Sequence, residues 1–259
     1  MSGVKEKVIV VTGAAGAIGR TTAAALADKG AVVVGVDVQT GQDVAADWFA
    51  QCDLTDEREV ASLYAAVASR YGRIDGLFNN AGVVLPGDGS VLEVGLDAFT
   101  RTLAINVASV FLCCKHGIPH LVRNGGGTVV NTASLVASMG SAASQIAYTA
   151  SKGAVLAMTR ELAVEFARRG VRANALSPGP VQSPLLDSVF TGDEVARRMV
   201  HVPAGRFALA EEVAAAACYL LGEESSYVTG IELRVDGGIT AAYVTPEGGR
   251  PLPVLGGAG

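Results

Sequence analysis

Val8-Ile9-Val10-Val11-Thr12-Gly13-Ala14-Ala15-Gly16-Ala17-Ile18-Gly19 stands near the start of the chain and decides how the rest is read. Four consecutive β-branched residues predict a strand covered on both faces, as in a parallel sheet flanked by helices. The glycines that follow predict a tight turn directly into a helix starting at Ala17. Gly13, Gly16 and Gly19 allow backbone to approach a bound group closely, and Ala14 and Ala15 keep that approach open. The first turn of such a helix offers unpaired N–H groups and the positive end of its dipole to an anion such as a pyrophosphate. The alternative is an ordinary strand-to-helix turn. A nucleoside-triphosphate P-loop does not fit, because Arg20-Thr21 replaces the Lys-Ser/Thr that must follow the last glycine.

Outward from this stretch the same alternation repeats. Val8–Val11, Val32–Val36, Trp48–Gln51, Ile74–Phe78, Thr128–Asn131, Arg172–Leu176 and Ile231–Val235 read as strands. Ala17–Lys29, Asp56–Arg70, Ala98–Val122, Tyr148–Arg169 and Glu211–Leu221 read as helices, the third kinked or broken near Pro119. Strand then helix, repeated, predicts an α/β fold: a doubly wound, parallel, seven-stranded sheet flanked by helices. Residues 1–259 are expected to form one dinucleotide-binding domain, with 239–259 a glycine- and proline-rich tail. The 32 glycines are about 12% of the chain, yet they show no period of three, which excludes collagen.

Charge and composition exclude further classes. With 20 Lys+Arg against 25 Asp+Glu and no basic run longer than a pair such as Arg168-Arg169, the chain lacks a nucleic-acid footprint. No stretch approaches the roughly 20 apolar residues that span a bilayer, and Val8–Val11 is too short for a signal-peptide core. Cys52, Cys113, Cys114 and Cys218 show no CxxC spacing, and His116, His120 and His201 do not cluster with them or with carboxylates. The expectation is a reduced, soluble, cytoplasmic protein that binds no metal, membrane or nucleic acid.

Asp37 ends the second strand, 18 residues after Gly19. A carboxylate there accepts hydrogen bonds from an adenosine ribose diol and repels the 2′-phosphate of NADP, so the expected cofactor is NAD. Tyr148-Thr149-Ala150-Ser151-Lys152 places a phenol and an ammonium four residues apart, on one helix face. A nearby positive charge favours phenolate and lowers the phenol's pKa toward that of a general base. The pair opens the helix after a strand ending in Thr132-Ala133-Ser134, at the carboxyl edge of the sheet, where open α/β sheets bind ligands.

The Thr12-to-Gly19 loop, Asp37, Asp53-Leu54-Thr55, Asn79-Asn80-Ala81-Gly82, Asn106, Ser134, Tyr148 with Lys152, and Ser177-Pro178-Gly179-Pro180 follow the order and spacing of a known family. From Lys7 to Gly238 the chain resembles the short-chain dehydrogenases/reductases, in their single-domain branch. The resemblance implies Tyr148 as the acid/base acting on the alcohol proton. Lys152 would lower its pKa and hold the nicotinamide ribose, and Ser134 would hydrogen-bond the reacting oxygen. Asn106 would fix a water linking Lys152 to solvent. It further implies cofactor contacts from Gly13, Ala15, Gly16, Ile18, Gly19 and Asp37, with Asp53 and Leu54 at the adenine edge. Asn80, Ala81 and Gly82 would lie beside the adenosine ribose, and Pro178, Gly179, Val181 and Ser183 near the carboxamide. Hydride transfer on the pro-S nicotinamide face and assembly as a homotetramer are implied in the same way.

Three positions depart from that pattern. Ala17 stands where the single-domain branch usually has glycine, so length rather than the loop selects the branch. Thr132-Ala133-Ser134 replaces a common Ser-Ser pair, leaving Ser134 in register and Ser138 as the fallback. Ser134 and Tyr148 lie 14 residues apart, one more than expected, so the loop through Met139 and Gln145 is expected to face substrate. Leu185, Leu186, Val189 and Phe190 form an apolar stripe that reads either as a substrate lid or as a short packed helix, and Tyr243-Val244-Thr245-Pro246 as either a frayed end or an arm to a neighbouring subunit. The expected reaction is hydride transfer between NAD and a secondary alcohol or ketone with an apolar portion. Thioester, steroid, polyol and cyclic alcohols all remain open. The alternatives are a 3-oxoacyl thioester reductase and a non-catalytic dinucleotide-sensing regulator.

Overall fold

The structure, a computed structural model, describes residues 3–41, 43–141, 143–182 and 192–242. Its strands are β1 (Val8–Thr12), β2 (Val32–Asp37), β3 (Trp48–Gln51), β4 (Gly76–Asn79), β5 (Gly127–Thr132), β6 (Val171–Pro178) and β7 (Glu232–Val235). Its α-helices are α1 (Ala17–Asp28), α2 (Glu57–Tyr71), α3 (Leu96–Leu103), α4 (Ser109–Arg123), α5 (Ile146–Phe166), α6 (Gly192–Met199) and α7 (Ala210–Leu221). Among the described residues the strands make one seven-stranded parallel sheet in the order β3-β2-β1-β4-β5-β6-β7. The chain therefore runs outward from β1 to β3 and resumes on β1's other side with β4. The crevice at that reversal, above the carboxyl ends of β1 and β4, is where such sheets take ligands.

The continuous apolar runs are explained by two cores. Val8 and Val10 point with Val34, Val36, Leu77 and Val129 toward the apolar faces of α2, α4 and α5. Ile9 and Val11 point with Val33, Phe78, Val130 and Leu176 toward α1 and α7. Because successive side chains alternate in direction, a strand buried on both faces has no polar phase. Helix ends follow local chemistry. Asp56 accepts the Arg58 and Glu59 amides at 2.8 and 3.3 Å to start α2, and Gly72, at φ 72°, ends it.

The third helix differs from expectation. It runs unbroken from Leu96 to Arg123 and passes Pro119 without interruption, its irregularity being a π-helical turn over Ala104–Ala108 that joins α3 to α4. The Ser109 amide reaches back five residues to the Ala104 carbonyl, and the Ser109 hydroxyl bonds the Ile105 carbonyl. Pro119 is accommodated because Ile118 and Leu121 on either side anchor the helix in the core. By length and composition alone this 28-residue helix would span a bilayer, which corrects the reading that no stretch approaches such length. Here its Val110, Cys113, Ile118 and Leu121 pack on the sheet, with Asn106 and Ser109 buried beside them.

At the opposite, amino edge of the sheet Asp75 ties three segments together. Its buried carboxylate accepts the Val8 amide at 2.9 Å, both arms of the Arg73 guanidinium at 2.8 and 2.6 Å, and the Asn124 amide group at 2.7 Å. Asp75→Ala strands these donors and is expected to cost about 3 kcal/mol. That is a fall of roughly 6–10 °C in thermal midpoint for a chain of this size, with cofactor affinity unchanged. A shift below about 2 °C would refute this role.

Candidate active site

The glycine turn is shaped by how closely β1 and β4 approach. Gly13 has φ +65°, and a Cβ on it would lie 2.9 Å from both Cα and N of Ala81. Thr12 Oγ1 accepts the amides of Asn80 and Ala81 at 3.0 and 3.2 Å, while Asn80 Nδ2 donates to the Thr12 and Gly13 carbonyls at 3.3 and 3.4 Å. A Cβ on Gly19 would sit 2.1 Å from the Gly13 carbonyl oxygen, so α1 can fold back on the loop only with glycine there. Gly16 is different: it precedes α1, and the nearest atom to a Cβ would be the Gly13 oxygen at 3.3 Å.

These details fit a dinucleotide. No side chain caps α1 and no acidic residue lies in its first turn, so the positive helix end beside Ala15, Gly16 and Ile18 is left to an anion. Asp37, at the tip of β2, accepts the Ala15 amide at 3.0 Å through one oxygen and the Gln39 amide at 3.0 Å through the other. Its carboxylate is thus held at the rim of the loop. Asp53 accepts the amide and hydroxyl of Thr55 at 2.9 and 2.7 Å. The Thr55 hydrogen bonds hold its pKa below the usual value. Leu54 is buried in the core, so its backbone alone faces outward.

Across the crevice, a Cβ on Gly179 would lie 2.7 Å from Cα of Asp236, which places the Pro178-Gly179 turn tight against the end of β7. Val181 pairs with Ala208, and the Gln182 amide donates to the Ala208 carbonyl at 2.8 Å. Ser183, the apolar stripe from Leu185 to Phe190 and the Tyr243–Pro246 segment lie outside the described residues.

Between these walls the structure brings Ser134, Tyr148 and Lys152 together. Lys152 Nζ lies 5.6 Å from the Tyr148 ring centroid, and the Ser134 hydroxyl is close enough to the phenol to favour phenolate. Ser134 is in extended backbone directly after β5 and also accepts the Val136 amide at 3.4 Å. Ser138, the fallback, is exposed and donates instead to the Glu232 carboxylate at 2.8 and 2.9 Å, away from Tyr148. Lys152 is buried and donates to the Thr132 carbonyl at 2.8 Å, its only acceptor among the described residues. An ammonium has three donors, so the others can face a bound ribose. A Cβ on Gly82 would lie 3.2 Å from Lys152 Nζ and 3.3 Å from Asn106 Oδ1, so the turn after β4 sits directly against both.

The electrostatics correct one expectation. Burial raises the Tyr148 phenol above its ordinary value of 10, the Ser134 hydrogen bond opposing this, and the neighbouring ammonium does not reverse the balance. Lys152 itself is pushed by burial from 10.5 to about 8. Low polarity penalises phenolate and ammonium alike, raising the pKa of the one and lowering that of the other. Asn106 clamps Val83 through its amide, accepting the N–H at 2.8 Å and donating to the C=O at 2.9 Å, and donates to Ser151 Oγ at 3.0 Å. Its side chain thereby fixes the backbone after β4.

Asp88 is absent from the sequence reading. It accepts the Ala147 and Tyr148 amides at 3.0 and 2.8 Å. Leu85-Pro86-Gly87-Asp88 carries the signal that could have drawn notice, with proline and glycine in the central positions of a type II turn.

Residues 13–240 match a family model described as enoyl-(acyl carrier protein) reductase. Cis-4-hydroxycyclohexanecarboxylate dehydrogenase of Sinomonas cyclohexanicum is 39% identical, across 91% of this chain and 97% of that protein. 2,5-Dichloro-2,5-cyclohexadiene-1,4-diol dehydrogenase of Sphingobium indicum is 38% identical, across 93% and 100%. A Burkholderia xenovorans crystal structure described as a short-chain dehydrogenase/reductase superposes with TM-score 0.89 and 31% identity, over 94% of this chain and 100% of that one. The chain belongs to the short-chain dehydrogenase/reductase family. As an oxidoreductase of that family it works with a nicotinamide cofactor, which the open helix end, Asp37 and the spare donors of Lys152 fit.

Two substitutions separate what the fold needs from what the ligand needs. Gly19→Ala is expected to lower the thermal midpoint sharply. Gly16→Asp should leave it within about 2 °C yet weaken binding of the nicotinamide dinucleotide at least tenfold, because a carboxylate there caps α1 and repels phosphate; equal dinucleotide affinity would refute the loop's role. For Lys152, the unfolded chain retains a proton between pH 8 and 10.5 that the folded chain has released, so stability rises with pH across that window. Below it the buried charge costs about 3 kcal/mol. Lys152→Met should abolish turnover at pH 7 without lowering the melting temperature; a fall above about 5 °C would show the ammonium to be stabilising.

Proposed function

We propose that this protein is an NAD-dependent dehydrogenase of secondary alcohols, acting on the CH–OH group of a ring-bearing substrate with an apolar portion. The observation that carries the reading is the cluster of buried Ser134 and Lys152 around half-buried Tyr148 at the carboxyl edge of β5, opposite the glycine turn. Tyr148, as phenolate, takes the alcohol's hydroxyl proton at Oη during oxidation and returns it during reduction. The Ser134 hydroxyl donates to the same oxygen and gains strength as charge builds there. Lys152 orients the ribose and replaces the proton on Tyr148, and the Asn106 clamp on Val83 keeps Gly82 against Lys152. The nicotinamide, when bound, supplies the hydride acceptor or donor.

Asp37 supports NAD over NADP, since a carboxylate at the loop rim would face a 2′-phosphate. The substrate class rests on the segments flanking Tyr148. Residues 83–89 and 134–148 contain no Lys or Arg, and their exposed Val84, Met139 and Ile146 are apolar. Such a wall favours an uncharged, hydrophobic skeleton over a phosphorylated or thioester-carrier substrate. Both dehydrogenase relatives act, by name, on ring alcohols. Ser183 belongs to this reading as a contact for the carboxamide. We also place the protein in the cytoplasm as a homotetramer. Its cysteines are free and buried, and the apolar groove between α4 and α5, lined by Phe111, Ile118, Val122, Leu162 and Phe166, offers a face for a second copy. A monomer mass by light scattering would refute the tetramer.

The deciding assay follows reduced-nicotinamide absorbance with NAD or NADP and a panel of cyclic, acyclic and thioester alcohols. Expected are turnover of cyclic alcohols with NAD, a loss of at least about 10³-fold in Tyr148→Phe, and NADP weaker by roughly 100-fold until Asp37 is replaced. In the oxidative direction, activity should rise with pH, because the proton given up by the alcohol must leave through Tyr148. Cofactor binding without turnover of any alcohol would instead make the protein a dinucleotide sensor.

A further inference from the structure

Tyr148 sits in the first turn of α5, and that turn is not held by its own sequence. Gln145 precedes the helix at φ −152°, ψ 63° and forms no side-chain cap, although the first N–H groups of any helix need acceptors from outside it. One loop supplies them. The Ile146 amide donates to the Gly89 carbonyl at 3.2 Å, the Ala147 amide to Asp88 Oδ1 at 3.0 Å, and the Tyr148 amide to Asp88 Oδ2 at 2.8 Å. The loop is rigid where it presents Asp88: Gly87 has φ +88°, and the Asp88 amide closes the turn on the Leu85 carbonyl at 3.2 Å.

The same loop is tied to the cofactor side. Val83, just upstream, is clamped through its N–H and C=O by Asn106. Asn106 also donates to Ser151 Oγ, which donates to the Tyr148 carbonyl at 2.7 Å. The catalytic tyrosine's backbone is thus gripped at its N–H by Asp88 and at its C=O through Ser151, and both grips lead back to residues 83–89.

We propose that Asp88 is a positioning residue for Tyr148, its carboxylate setting the start of α5 and with it the placement of the phenol between Ser134 and Lys152. This rests on the dehydrogenase reading above. The choice of a carboxylate has a second consequence. A helix N-terminus favours nearby negative charge, phenolate included, and an anion already seated there offsets that help. Asp88 therefore acts against the two groups that face Tyr148 from elsewhere, the Ser134 hydroxyl from the turn after β5 and the Lys152 ammonium from the next turn of α5.

The test compares Asp88→Ala and Asp88→Asn with the full-length protein. Asp88→Ala should lower kcat/KM on the order of 10–100-fold, chiefly in kcat. NAD affinity should stay within twofold, and amide exchange at Ile146–Tyr148 should quicken while α4 stays protected. Asp88→Asn loses the charge and keeps one of the two acceptor oxygens, so it should recover part of the rate and move the acidic limb of alcohol oxidation down by about half a pH unit. Gly87→Ala, which strains the presenting turn, should resemble Asp88→Ala. An unchanged rate or unchanged first-turn exchange in Asp88→Ala would overturn the proposal, as would faster exchange spread over the whole chain. The phenol's own ultraviolet titration, read against Tyr148→Phe in each background, separates this idea from the one beneath it. A midpoint lowered in Asp88→Asn upholds the positioning role even if the wild type oxidises no alcohol, whereas an unmoved midpoint overturns it.

Discussion

Where β1 and β4 end, two backbones come so close that Gly13 could not carry a Cβ without meeting Ala81. That contact orders the ligand-facing edge. Thr12 Oγ1 takes both amides of Asn80 and Ala81, and Asn80 Oδ1 accepts the Thr132 hydroxyl at 3.3 Å, joining the tips of β1, β4 and β5. From there Gly82 abuts Lys152 and Asn106, the Asn106 clamp sets Val83, and the following turn delivers Asp88 to α5. The cofactor turn and the tyrosine are thereby parts of one connected backbone framework. Each link is a hydrogen bond or a van der Waals contact, and residues 84–87 span the gap from the Val83 clamp to Asp88.

The energetics of that edge oppose those of the rest of the molecule. Two apolar cores and the Asp75 knot stabilise the sheet away from the crevice. Inside the crevice a buried ammonium, a half-buried phenol and an uncapped helix end are each less stable than they would be in water or fully paired. These are groups whose missing partners a dinucleotide supplies: phosphate for the α1 amides and ribose hydroxyls for Lys152. Binding energy and folding energy are coupled here, and ligand binding should raise stability through the same groups.

Much of this was legible in the chain because it depends on local chemistry. Strand limits came within one or two residues wherever β-branched runs met glycine or asparagine, and Trp48–Gln51 matched β3 outright. The helical spacing of Tyr148 and Lys152 put them on one face before any tertiary contact was known. Misreadings fell where distant segments decide. Pro119 suggests a kink or a break, but the helix continues through it, and a π-helical turn lies at Asn106 instead. Ser138 stood close to register with Ser134, yet Glu232, 94 residues away in sequence, takes its hydroxyl. The phenol's pKa was expected to fall beside an ammonium, and burial, a property of the whole fold, raised it.

The sequence by itself determined the alternation of strands and helices, the glycine turn, the acid at the tip of β2 and the phenol–ammonium pair, because each follows from dihedral preference, side-chain period or short spacing. Only the tertiary structure decided which glycines are sterically required, that Asn106 clamps Val83, and that Asp88 caps the helix carrying Tyr148. Apart from Gly19 against Gly13, those are contacts between residues from 23 to 68 positions apart. No local propensity encodes such a pairing; it exists only once the two sheet halves close on each other.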